Sequence, residues 1–369
     1  MTEPKIVGNK IIFENITDEE IDIADTDEIT GDVINDNFEK YQGKTVIFRN
    51  CTKLKTIRAD SLHLSGLEIE NCPEIEYLSA YNNKIKEAYL DDLTNLKFVN
   101  LSFNDLQRID LSECHELQKL FVNNNKLINL DLTDNNKLVS LYCSYNKKLG
   151  KLKVSHLKNL KDLHCENCSL ISLDCQDLEN LKYLYCLWNK AKFILGETNE
   201  TKQFNLLKLN VRGCKSLEEL DCAENALKEL ELNNHPNLKI VSCKNNELDY
   251  LKIINCPKLA KLSFSHQSNF YCYEPCCGEL CYKKLFGLDN LETSLFFDDP
   301  SSFETILHCK KSKIFKLSES GEPIPITFKD FPNLKEFGPG TANDPLFEQW
   351  IDEKRRKELQ QPRSISSTK

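Results

Sequence analysis

From Leu96 to Leu138 the hydrophobic and polar positions repeat with a 21-residue period. Leu96, Val99, Leu101, Leu106, Ile109 and Leu111 superpose on Leu117, Leu120, Val122, Leu127, Leu130 and Leu132, while the polar Asn104 superposes on Asn125. A fixed period of this size marks a stacked-repeat architecture, in which each unit buries its apolar face only against its neighbours. With the first Leu of the pattern as offset zero, repeats start at Leu54, Ile75, Leu96, Leu117, Leu138, Leu160, Leu181, Leu217, Leu238 and Leu259. Seven of the nine intervals are 21 residues; one gains a residue at Leu149-Gly150, and one carries a 15-residue insertion between about Lys192 and Leu206.

Alternation within a coil, as in Asn129-Leu130-Asp131-Leu132, has period two and predicts a short half-buried strand. The second half of each coil nearly repeats the first, so two short strands are expected per coil, one on each broad side. Offset eight holds Asn83, Asn104, Asn125, Asn146, Asn189, Asn225 and Asn246, with Leu62, Cys168 and Gln267 as departures. Inward-pointing turn amides need partners, and a short side chain with both donor and acceptor can bond its own coil and the next. The LxxLxLxxN pattern resembles the leucine-rich repeat family, in particular the nested 21-residue LxxLxLxxNxLxxLDL class. That resemblance implies a repeat solenoid, mainly of short parallel β-strands on both sides with little helix, of a kind that usually serves recognition.

The expected organisation follows the pattern. Residues 1–50 read as an acidic amino-terminal cap, and 51–270 as a solenoid of about ten coils with the insertion at 192–206. Residues 271–300 read as a Cys-rich loop, and 301–343 as degenerate coils, in which Ile326, Phe328, Phe331, Leu334 and Phe337 keep the repeat spacing. Asp344, Pro345 and the stripe Phe347, Trp350, Ile351 predict a C-terminal capping helix over 344–361, followed by a disordered tail, 362–369.

Charge changes the picture little. The net charge is −9, and residues 14–39 hold eleven Asp or Glu with no Lys or Arg, which accounts for the acidic excess. Nucleic-acid binding wants a basic stripe, so no nucleic-acid partner is expected. The chain has no apolar run of about 20 residues, and MTEPKIVGNK does not read as a signal peptide. The expectation is a cytoplasmic protein without membrane contact, monomeric or in a partner complex; a secreted receptor-like protein would need an export signal.

The 17 cysteines lose most of their chemical interest once placed in register. Cys143, Cys165, Cys186, Cys222 and Cys243 sit at offset five, an inward strand position; Cys51, Cys72, Cys114, Cys214 and Cys256 sit three residues before a repeat start; Cys168 and Cys175 take other inward positions. Free Cys is a small, often buried hydrophobe, so these twelve read as core filling. The exception is CxxxCCxxxC at Cys272, Cys276, Cys277 and Cys281, where four thiols could hold Zn or act as a redox loop. The seven histidines have no nucleophile or carboxylate constellation around them, and no glycine loop cradles a phosphate. No enzyme activity and no cofactor are expected.

The two outward faces differ. On the second strand, offset fourteen carries Glu68, Asp110, Asp131, Asp174 and Glu231, which reads as a solvated acidic face. On the first strand, offset four carries Phe121, Tyr142, His164 and Tyr185; Phe98 and Tyr183 stand at offset two, and Phe103, Tyr145 and Trp188 at offset seven. Aromatic residues are those that interfaces favour, although stacked rings can also simply pack on one another in a ladder. The expectation is a non-enzymatic scaffold or signalling module that binds another protein through this aromatic face. A thiol-based metal or redox protein using 272–281 is the alternative.

Overall fold

A computed structural model describes residues 4–23, 38–189, 191–195, 200–204, 206–248 and 250–263, together with five strands between 294 and 338. The chain divides into two compact units, Met1–Asn225 and Ala226–Lys369.

In the first unit each coil places one three-residue strand on the first side. Glu20–Asp22, Thr56–Arg58, Tyr77–Ser79, Phe98–Asn100, Lys119–Phe121, Ser140–Tyr142, Asp162–His164, Tyr183–Tyr185 and Glu219–Asp221 pair in that order, all parallel and in register. The middle residue of each, from Ile21 to Leu220, is buried, while most flanking residues look outward and are half-buried or exposed.

On the second side, the Lys5–Val7/Lys10–Glu14 hairpin leads into Thr45–Arg49, Gly66–Glu70 and Ala88–Tyr89, and Ser172–Asp174 pairs with Lys208–Asn210. Between them the chain keeps Leu111, Leu130, Leu132, Leu152 and Val154 buried without forming ladder strands. There Asp110 and Asp131 accept the N–H two residues on, from Ser112 and Thr133, which closes local turns. The insertion leaves as an antiparallel hairpin, Ala191–Leu195 against Glu200–Phe204, and Leu206 N–H rejoins the coil on Asn189 C=O at 3.1 Å.

The asparagine ladder has the expected two-handed chemistry. Asn125 Oδ1 accepts from Leu106 N–H of the preceding coil at 2.9 Å, while its Nδ2 donates to Leu101 C=O at 2.8 Å and to Val122 C=O at 3.1 Å. Asn83, Asn104, Asn146 and Asn189 repeat that geometry. A residue in left-handed backbone precedes each rung and turns the asparagine inward.

All twelve cysteines of the repeats are free and buried. Several do more than fill space. Cys72, Cys168, Cys214 and Cys256 direct their thiols at inward carbonyls of the preceding coil, those of Phe48, Cys143, Cys175 and Leu232, as Asn135 does for Leu111 C=O. Burial pushes the Cys114 and Cys214 thiols up to about 12.

In the second unit Glu229–Asn233, Tyr250–Ile254, Ser294–Phe297 and Lys313–Leu317 run parallel, with Pro323–Pro325 antiparallel at the end. Ile240–Ser242, Lys261–Ser263, Thr305–Leu307 and Glu336–Gly338 form its other parallel row, and Phe337 registers with Ile306. Asn246 Oδ1 accepts Leu227 N–H at 3.1 Å. Among the described residues the single helix is the one-turn Phe38–Tyr41. The expected helix over 344–361, the tail 362–369 and Cys272, Cys276, Cys277 and Cys281 lie outside the described residues.

Candidate functional site

Because the first-side strands pair in register, outward residues of successive coils stand about 4.8 Å apart, close enough for rings to stack. They do stack. Tyr77 and Phe98 lie with centroids 4.3 Å apart, Phe121 and Tyr142 4.7 Å, Tyr142 and His164 4.1 Å, and His164 and Tyr185 4.6 Å, while Phe98 and Phe121 meet tilted by 39° at 5.4 Å. The row begins at offset two and crosses diagonally to offset four between Phe98 and Phe121, whose register partners are Lys119 and Asn100. Tyr77 escapes the sequence pattern because it stands at offset two, two coils before the offset-four series begins.

Each end of the row has a polar terminus. The Arg58 guanidinium sits 4.8 Å from the Tyr77 ring and bonds Glu20 at 3.1 Å. At the other end Tyr185 donates its hydroxyl to Glu219 at 2.7 Å. Burial, and after it that hydrogen bond, pushes the Tyr185 hydroxyl well above its ordinary value, so it stays a donor. Tyr183 stands half-buried beside the row, in register with Asp162 and Glu219.

A second aromatic series lies on the turns. Phe103, Tyr145 and Trp188 are 44%, 39% and 38% exposed, and all three are in left-handed backbone with φ of 58°, 60° and 58°. In the coil before Phe103 and in the two coils between these three the same position is Asn82, Asn124 and Asn167, also left-handed. Asparagine tolerates this conformation; a bulky side chain there pays roughly 1–2 kcal/mol. Tyr81 meets Phe103 edge-on at 5.3 Å.

The sequence-selected aromatics thus form two sets: a packed row of Phe98, Phe121, Tyr142, His164 and Tyr185, and an exposed comb of Phe103, Tyr145 and Trp188. On the second side Tyr89 is an exposed aromatic, at 49%. Among the described residues no group of three or more His, Cys, Asp or Glu is placed to hold a metal ion, and no helix is long and apolar enough to cross a membrane.

No family model matches the chain, and no curated protein matches it. Solved structures similar to it include InlJ from Listeria monocytogenes, whose functional domain includes a cysteine ladder, at 20% identity over 89% of this chain and TM-score 0.44. The present chain covers 62% of that one, less than two thirds of its length. YopM, a leucine-rich effector protein from Yersinia pestis, is 18% identical over 79% of this chain and 78% of its own, with TM-score 0.46. With its 21-residue register, inward leucine strands and asparagine ladder all present, the chain folds as a leucine-rich repeat solenoid.

Proposed function

We propose that the chain is a non-enzymatic scaffold module that binds another protein through the first-side aromatic face. One observation carries the reading: Phe103, Tyr145 and Trp188 are exposed rings in left-handed backbone, where alternate coils use asparagine. Neither folding nor solubility favours a large ring at that position, and strain of this kind collects where a surface has work to do. The packed row beside it offers a flat, preorganised aromatic floor, and ordered rings lose little entropy on binding. A cytoplasmic setting accords with twelve free buried thiols.

Hydroxyl-radical footprinting of the full chain, free and in complex with protein captured from its native cell extract, tests the face. Protection of Phe103, Tyr145 and Trp188 with Tyr89 unchanged is expected. Protection of Tyr89 alone would place the interface on the other side.

A further inference from the structure

The end of the first-side face that carries Tyr185 differs in charge from the middle. Across the adjacent strands Asp162–His164, Tyr183–Tyr185 and Glu219–Asp221, the outward positions hold Asp162, His164, Tyr183, Tyr185, Glu219 and Asp221, and Glu166 follows on the same side. None of them is Lys or Arg. Three of these carboxylates accept hydrogen bonds from neutral hydroxyls: Asp162 from Ser140 at 2.8 Å, Glu166 from Ser144, and Glu219 from Tyr185 at 2.7 Å. Such bonds fix a carboxylate in place without cancelling its charge. His164 Nδ1 stands 3.5 Å from Glu166 Oε1, and Lys182, at the strand edge, is occupied by Glu218 at 3.4 Å.

The opposite end of the same row shows what such a surface accepts. There the chain's own Arg58 lies over Tyr77 and against Glu20, a guanidinium held between a ring face and a carboxylate. The Tyr185 end repeats rings and carboxylates, with the exposed Trp188 next to them. A guanidinium or ammonium gains there both from the ring faces and from the half-buried carboxylates.

We propose that this acidic–aromatic end docks an arginine- or lysine-rich extended segment of the partner protein, with cationic side chains against Tyr183, Tyr185 and Trp188 and between Asp162, Glu166, Glu219 and Asp221. The proposal rests on the first-side face being the binding surface, and names the chemistry of what binds it. Its parallel rows, about 4.8 Å apart, offer successive cations of an extended chain successive carboxylates. The surface is acidic where the partner is basic, which also predicts association that weakens with salt.

The test is fluorescence anisotropy of the full chain with a labelled peptide of alternating glycine and arginine, with a glycine–glutamate peptide and spermine as comparison probes. The neutralised variant combines Asp162→Asn, Glu166→Gln, Glu219→Gln and Asp221→Asn, each keeping its acceptor oxygen; if it fails to fold, Asp162/Glu166 and Glu219/Asp221 are changed as separate pairs. Asp110→Asn with Asp131→Asn and Asp174→Asn is the second-side control. The proposal expects binding of the arginine peptide alone, weakened at least about tenfold by first-side neutralisation and unchanged in the control. Equal loss in both variants, or equal binding of spermine, means diffuse charge attraction and overturns it. No arginine-peptide binding, with ring-dependent capture of a partner intact, overturns the cationic chemistry while leaving the face as the interface. Capture that ignores both the rings and the carboxylates overturns the reading on which the proposal rests.

Discussion

The thiol of Cys168 donates to the carbonyl of Cys143 at 3.1 Å, in the place where the carboxamide of Asn146 donates to Val122 and that of Asn189 to Cys165. A thiol supplies the donor but not the asparagine's acceptor. The preceding coil is the one with an extra residue, and there Leu149 N–H is taken by Asn146 C=O at 2.9 Å. An added residue in one coil thus removes the need for half of the asparagine in the next.

This relationship grades the ladder by chemistry. Asn125→Leu leaves Leu106 N–H buried without its acceptor, at roughly 1–3 kcal/mol. It also strips one of two carboxamide donors from Leu101 C=O and from Val122 C=O, at about 0.5–1.5 kcal/mol each, so a loss of several kcal/mol in urea unfolding is expected. Cys168→Val removes only a weak thiol donor and should lose no more than about 1 kcal/mol. An unchanged urea midpoint for Asn125→Leu would contradict the ladder account.

The buried thiols predict an alkaline weakness. Burial first, then neighbouring thiols, holds Cys165 well above its ordinary value. A raised pKa in the folded state means full stability below the unfolded thiol value, lost as pH rises from there towards the folded one. Cys165→Val, at an offset that accepts Val122 and Leu101, should fold normally and remove this share. Its stability at pH 9.5 should exceed that of the parent by about 1.4 kcal/mol relative to the pH 7 difference, since the unfolded thiol titrates near 8.5. Parallel pH curves for the two proteins would show that Cys165 carries no such linkage.

Tyr142 lies between Phe121 and His164 at 4.7 and 4.1 Å, and stacked pairs contribute about 0.5–1.5 kcal/mol each beyond burial. Tyr142→Ser should therefore destabilise by about 1–3 kcal/mol, while Tyr142→Phe stays near the parent. Thermal unfolding checks both; an unaffected Tyr142→Ser would mean that the row adds nothing to the sheet.

The repeat register made the fold legible because period, inward leucines and asparagines are all local in sequence. Whether Phe121, Tyr142, His164 and Tyr185 pack together or face a partner was open, because offset alone places a ring outward without giving its distance to the next. The distinction between that packed row and the comb of Phe103, Tyr145 and Trp188 depends on backbone handedness. Its sequence trace is the alternation of aromatic residues with Asn82, Asn124 and Asn167 at offset seven. In the sequence the thiols of Cys72 and Cys256 look like filler, because their role as donors depends on carbonyls a full coil earlier.

The combined substitution Phe103→Asn, Tyr145→Asn and Trp188→Asn addresses the central claim most directly, with thermal midpoint and partner capture measured on the same protein. Asparagine already serves at this left-handed position in alternate coils, so relief of strain should raise stability, by up to about 1 kcal/mol per site. If the rings are there for binding, capture is lost while the midpoint rises. Capture that survives the triple substitution, or a midpoint that falls with it, would contradict the account.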